Sequence, residues 1–152
     1  MHSEISAGFI RLVATIALLV FFACDGFAQQ RSLDDGFRSP SGNIHCQHFH
    51  WISTLRCDLK QISGRPLPRP SKCDMEFGQA FEVFGKKPFA GPICHGDTVL
   101  SDELPVLPYG ERWARGDFVC QSERTGVSCR NLLGAGFDLS RATQRVVGHK
   151  PV

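Results

Sequence analysis

Residues 117–141, DFVCQSERTGVSCRNLLGAGFDLSR, decide how the rest of the chain is read. Setting Cys120 opposite Cys129 makes a β-hairpin in which Ser122 faces Val127 and Phe118 faces Asn131. The cysteines, Val127 and Phe118 then share one face, while Val119, Gln121, Ser128 and Arg130 take the other. Directly opposite residues on antiparallel strands hold their Cβ atoms close to disulfide range, so the register and a Cys120–Cys129 bridge support each other. Gly126 offers an alternative, a three-residue loop that shifts this register by one. The Gly-rich turn at Gly134 leads into a closing strand, Gly136-Phe137-Asp138-Leu139.

Residues 42–59, GNIHCQHFHWISTLRCDL, repeat the scheme. With Cys46 facing Cys57, Ile44 meets Leu59, His48 meets Leu55 and His50 meets Ser53, leaving Trp51-Ile52 as the hairpin loop. One face carries Ile44, Cys46, Leu55, Cys57 and Leu59. The other carries His45, Gln47, Thr54, Arg56 and Asp58, with Phe49 the exception. A single register sorts apolar from polar, as in a half-buried antiparallel pair.

Between the hairpins, Gly64-Arg65-Pro66-Leu67-Pro68-Arg69-Pro70-Ser71-Lys72 reads as an extended connection, since alternating prolines do not sit in a central strand. Residues 77–84 alternate as a strand with Phe77, Phe81 and Val83 inward, and Gly85-Lys86-Lys87-Pro88 is a turn. Elimination pairs Cys73 with Cys94. Asp97-Thr98-Val99-Leu100 reads as a further short strand and residues 104–110 as a Pro-bounded loop. No stretch beyond the N-terminus carries a 3.6-residue period. The expected class is all-β, a small antiparallel sandwich or barrel stapled by three disulfides, with little or no helix.

At the N-terminus, Arg11 precedes the apolar run LVATIALLVFFA over residues 12–23, and Gly26 and Ala28 are the small residues a signal peptidase requires. The run is shorter than the roughly 20 residues a membrane-spanning helix needs. We read residues 1–28 as a signal peptide, 29–36 as a lead-in, 37–147 as one disulfide-rich domain and 148–152 as a tail. Cleavage after Ala28 removes Cys24, leaving six of the seven cysteines, the even number a disulfide framework demands. Phe21-Phe22-Ala23-Cys24 is also similar to a lipobox, which would anchor Cys24 to lipid. A formal net charge of +2 without a basic cluster excludes a nucleic-acid footprint.

Chemistry is sparse. His45, His48 and His50 lie beside Cys46, and His48-x-His50 is the spacing of a strand chelate, but a third ligand is missing and Cys46 belongs to a disulfide. There is no Gly-x-Ser-x-Gly elbow, and Asp34-Asp35 and Asp102-Glu103 are neighbours in loops, not carboxylates placed across a cleft. We assign no catalytic, cofactor or metal residue. Four aromatics outside strict core positions, Phe49, Trp51, Tyr109 and Trp113, form the candidate interaction surface.

Several stretches together resemble a family of small secreted bacterial proteins known only as a domain of unknown function. They are Phe37-x-Ser39-Pro40-Ser41-Gly42-Asn43-Ile44-x-Cys46, Arg56-Cys57-Asp58, Cys73-Asp74-x-Glu76-Phe77-Gly78, Cys94-x-Gly96-Asp97-Thr98-Val99-Leu100 and Leu107-Pro108-Tyr109-Gly110. Phe118-x-Cys120-x-Ser122, Gly126-Val127-x-Cys129-x-Asn131 and Gly136-Phe137-x-Leu139-Ser140-Arg141 continue the series. The resemblance implies export and a single cysteine-bridged domain, and no activity. Where the family often reads Gly-His-Gly-Phe, this chain has Gly134-Ala135-Gly136-Phe137. The expected function is a non-catalytic interaction module of the cell envelope or extracellular space that meets a protein partner, an inhibitor of a secreted enzyme being one form. The alternatives are an envelope hydrolase with an unrecognised site, and a metal or glycan binder using residues 45–50.

Overall fold

The computed structural model describes residues 35–148. The signal-peptide, lipidation and most of the lead-in readings fall outside them. Ten strands form two five-stranded antiparallel sheets, each a sequential meander. The first sheet holds β1 (Gly36–Arg38), β2 (Ile44–Phe49), β3 (Thr54–Leu59), β4 (Glu76–Phe84) and β5 (Ala90–His95). The second holds β6 (Arg112–Arg115), β7 (Phe118–Glu123), β8 (Gly126–Asn131), β9 (Gly136–Leu139) and β10 (Gln144–Val147). Among the described residues the one helical piece is a 3-10 turn, His50–Ile52.

Both hairpin registers are as expected from the sequence. Cys46 lies opposite Cys57 and Cys120 opposite Cys129, each pair with Cα atoms 4.1 Å apart, and Cys73 is bridged to Cys94. Glu123 pairs with Gly126, so the second hairpin turns on Arg124-Thr125 alone and no register shift occurs. Gly126 serves a different need: a Cβ there would lie 2.2 Å from the Leu139 carbonyl oxygen, so β9 approaches only a glycine this closely.

One cross-strand row recurs in the two sheets. It runs Phe37, Cys46, Cys57, Phe81 in the first and Trp113, Cys120, Cys129, Phe137 in the second. The rows face each other across a single core, which makes the fold a sandwich. Phe37 meets Trp113 with ring centroids 5.4 Å apart, and Phe81 meets Phe137 at 6.1 Å. Between them the sulfurs of Cys46, Cys57 and Cys129 lie within 4.8 Å of one another, so the two hairpin disulfides pack together at the centre.

The outer face of β2 and β3 departs from the half-buried expectation. His45 is fully buried, and Arg56 and Asp58 nearly so, because residues 97–101 lie over them, and Thr54 on the same face is fully buried too. Those residues are not a strand either. The Val99 and Ser101 N–H groups donate to the Asp58 carboxylate and the His45 ring, which removes them from any ladder. Phe77 is half-buried, not inward, because the β4–β5 register shifts between Phe77 and Phe81. Gly36 opens β1 instead of ending a loose lead-in. β6 and β10, four residues each, carry no strand signal of their own in the sequence.

Candidate functional site

Strand direction sends the loops to two opposite ends of the sandwich, and they differ in chemistry. At one end the 39–43 turn, the Arg124-Thr125 turn and residues 140–141 enclose a cleft of about 580 Å³. Hydrogen bonds within the turns fix its walls. Ser39 Oγ sits 3.1 Å from Ser41 Oγ and accepts from the Ile44 N–H. The Asn43 side chain spans to Gln61 in both senses, donating to its carbonyl at 3.1 Å and accepting its N–H at 3.0 Å. Ser140 Oγ accepts the Thr143 N–H at 3.0 Å, closing the β9–β10 turn. Gln121 donates to the Gly110 carbonyl beside Tyr109, and the Arg124 guanidinium lies 5.1 Å from the Tyr109 ring centroid.

Lys60, Arg124 and Arg141 line this cleft with Glu123, and Lys60 also lies 3.6 Å from the Asp102 carboxylate. Its lining contains no histidine and no cysteine. A shallower extension of about 290 Å³ runs past Gly126 to Ser128, Asp138 and Arg145. Burial opposes ionisation of Asp138, but bonds from Arg130, Ser128 and Arg145 prevail and hold its carboxyl below the ordinary range. Four of the stretches quoted for the family resemblance meet here, at Ser39–Ile44, Tyr109, Gly126 and Ser140-Arg141. Sequence reasoning missed the cleft because its cations are scattered along the chain at Lys60, Arg124 and Arg141.

A second polar assembly lies under residues 97–101. Asp58 accepts Nε and Nη2 of Arg56 at 2.8 and 3.0 Å, Oγ1 of Thr98 at 2.9 Å and the Val99 N–H at 3.0 Å. Arg56 also donates to the Asp97 carboxylate and carbonyl at 2.7 and 2.8 Å. Burial opposes the Arg56 charge, yet these bonds hold its pKa above the usual value, and Asp97 is pulled down in turn. Glu82, opposite Arg56 in the ladder, is pushed up by burial, with Asp58 and Asp97 adding to the effect against Arg56. Arg56 and Asp58 pair within β3, and the bonds from them to Asp97, Thr98 and Val99 tie the covering segment to the sheet. The assembly is a structural clasp.

The histidines do not form a chelate. His45 donates from Nε2 to the Gly42 carbonyl at 3.0 Å and accepts the Ser101 N–H on Nδ1 at 3.1 Å, which occupies both nitrogens. His48 is buried against Phe118 and Trp113, and burial together with Arg115 and His50 pushes its pKa down. His50 leaves the strand for the 3-10 turn, so His48 and His50 do not share a strand face. Among the described residues, the group of potential ligand atoms close enough for a metal is Cys46, Cys57 and Cys129, all spent in disulfides.

The four aromatics do not make one surface. Trp113 is 3% exposed and belongs to the core row, which removes it from the interaction set. Tyr109 lies at the cleft end. Trp51, 68% exposed, and half-buried Phe49 stand at the opposite end with ring centroids 5.4 Å apart.

Fold and site together define an all-β, disulfide-stapled domain of two facing meander sheets with a cationic end cleft. The family profile of DUF6636, a family of unknown function, matches residues 17–147, and the chain belongs to that family. No curated protein and no solved structure matches it. Its three disulfides are compatible with a periplasmic or extracellular protein, and no helix among the described residues is long and apolar enough to cross a membrane.

Proposed function

We propose that the protein is an exported, non-catalytic binding module of the cell envelope or extracellular space that takes an acidic, extended segment of a protein partner into the end cleft. The observation that carries this reading is the convergence of Arg124, Arg141 and Lys60, the last also paired with Asp102, on one hydrogen-bonded cleft whose lining holds a single carboxylate. Complementary charge steers encounter and fixes which partner is accepted. Rigid turns lower the ordering cost of binding. Export is supported by the apolar run over residues 12–23 and by three bridges that persist only where the surroundings are oxidising. Inhibition of a secreted enzyme is one use of such a cleft. A glycan is the second reading, favoured by Tyr109 among the Ser39, Asn43, Gln61 and Thr125 side chains.

A photo-crosslinking residue in place of Tyr109, introduced into the exporting cell, tests the proposal. A protein captured in stoichiometric amount, and lost when Arg124→Glu and Arg141→Glu are combined, is the expected result. Capture of no protein, or capture indifferent to the charge reversal, defeats it. A carbohydrate adduct transfers the site to the second reading.

A further inference from the structure

The end opposite the cleft displays bulky apolar side chains on two separate turns. Trp51 and Ile52 at the β2–β3 tip are 68% and 57% exposed, and Leu132 and Leu133 at the β8–β9 tip are 74% and 58% exposed. Exposed large apolar residues gathered on one end mark a surface that meets something apolar.

These tips are held rigidly. Ser53 takes a left-handed conformation (φ 46°) to close the first tip, donates from Oγ to Asp117 at 3.0 Å, and accepts the Gly85 N–H on its carbonyl at 2.8 Å. A Cβ on Gly85 would fall 2.3 Å from Ser53 Oγ, so only glycine lets these turns meet. Asn131 builds the other tip. Its Oδ1 accepts the Leu133 and Ala135 N–H groups, each at 2.9 Å, while Nδ2 donates to the Phe84 and Lys87 carbonyls at 2.6 and 2.7 Å. Asn131 therefore ties the leucine tip to the β4–β5 turn, which carries exposed Lys86 and Lys87.

Two further observations say what covers this end. The β4–β5 turn, bonded to both tips through Gly85 and Asn131, presents exposed Lys86 and Lys87, while the nearby Asp117 accepts from Ser53 Oγ. Apolar tips flanked by lysines suit an anionic lipid surface, where indole and leucine side chains enter the headgroup boundary and ammonium groups meet phosphates. The chain also enters the domain here, since Asp35 precedes β1 and its carbonyl bonds the His48 N–H near the end of β2.

We propose that this end docks on an anionic lipid bilayer, with Trp51, Ile52, Leu132 and Leu133 entering the interface and Lys86 and Lys87 meeting headgroup phosphates. The cleft then faces away from the membrane, on the far side of the sandwich. This inference stands apart from the cleft reading, and either can fail alone.

The experiment uses the chain from Gln29 onward, which carries the whole described fold, with its three bridges confirmed by intact mass. The chain has two tryptophans, and Trp113 is buried, so an emission change reports Trp51. Vesicles of equal parts phosphatidylcholine and phosphatidylglycerol are expected to shift Trp51 emission to the blue, and lipids brominated in the acyl chain to quench it. Combined Leu132→Asp and Leu133→Asp should weaken partitioning roughly tenfold or more with an unchanged melt, since each leucine withdraws a substantial part of its transfer free energy. Combined Lys86→Glu and Lys87→Glu should weaken it on these vesicles and not on phosphatidylcholine alone. No shift at millimolar lipid overturns the proposal, as does equal binding by the leucine variant. A shift without lipid that rises with protein concentration assigns the end to a second copy and overturns it too.

Discussion

Replacing Asp58 with Ala should be among the most damaging single substitutions outside the cysteines. Asp58 is 2% exposed and accepts four hydrogen bonds, two from Arg56 and one each from Thr98 Oγ1 and the Val99 N–H. Its removal strands a nearly buried guanidinium and orphans a buried N–H. Breaking a buried ion pair by deleting one partner costs about 3–5 kcal/mol. Arg56 retains Asp97, which places the expected loss near the lower end, about 3 kcal/mol. For a domain of this size that is a fall in Tm of roughly 12 °C. Asp97→Asn is the control. That side chain is 83% exposed, and its backbone carbonyl keeps one Arg56 bond at 2.8 Å, so the loss should be about 1 kcal/mol or less. Combining Asp58→Leu with Arg56→Met should recover part of the loss, because the stranded charge is gone. Urea and thermal unfolding of the oxidised proteins measure all three. Equal losses for Asp58→Ala and Asp97→Asn, or a loss under about 1 kcal/mol for the former, refute the clasp.

Graded reductant followed by alkylation should label Cys73 and Cys94 first, since Cys94 is exposed while the other two bridges are fully buried in the core. Each bridge removes about 3 kcal/mol of unfolded-state freedom by loop closure, so full reduction should unfold the domain, and a melt scarcely moved by strong reductant contradicts this. Glu82→Gln should raise stability at neutral pH. The folded pKa of Glu82 lies above its unfolded value near about 4.3, so its penalty grows as pH rises from there to the folded pKa and stays constant above it. The gain should vanish in acid, and a gain that persists below about pH 4 identifies another cause. Asn131→Ala removes two hydrogen bonds that shape the β8–β9 turn and two that join it to the β4–β5 turn, and should cost about 2–4 kcal/mol by chemical denaturation, a loss under about 1 counting against that role.

Sequence reasoning reached the fold through its cysteines. Bridging residues directly opposite on two hairpins fixes the register, and register assigns every side chain between them to a face. Residues 97–100 show where such reasoning stops. Val-Leu after a turn suggests a strand, but the N–H groups that would extend a ladder are claimed by Asp58 and His45, which lie about forty and more residues earlier. The polar face of β2 and β3 misled for the same reason: alternation reports polarity, and a polar face with a partner looks no different from one facing water. β1, β6 and β10 are too short to carry a periodic signal, and pairing with longer neighbours defines them.

The sequence by itself determined the all-β class, the register of the first hairpin, the three bridges and the membership of Ile44, Leu55, Phe81, Val127 and Phe137 in strands, while the second hairpin's register stayed open until Glu123 was seen to pair with Gly126. Those follow from local periodicity and from the narrow geometry of a disulfide. Only the tertiary structure decided that the Asp117–Arg141 hairpin packs its disulfide against that of Gly42–Leu59, that Arg56 and Asp58 are interior, that Trp113 is core, and that Tyr109 and Trp51 stand at opposite ends. These depend on which faces meet and which way each strand runs. Distant segments settle that jointly, and no local pattern records it.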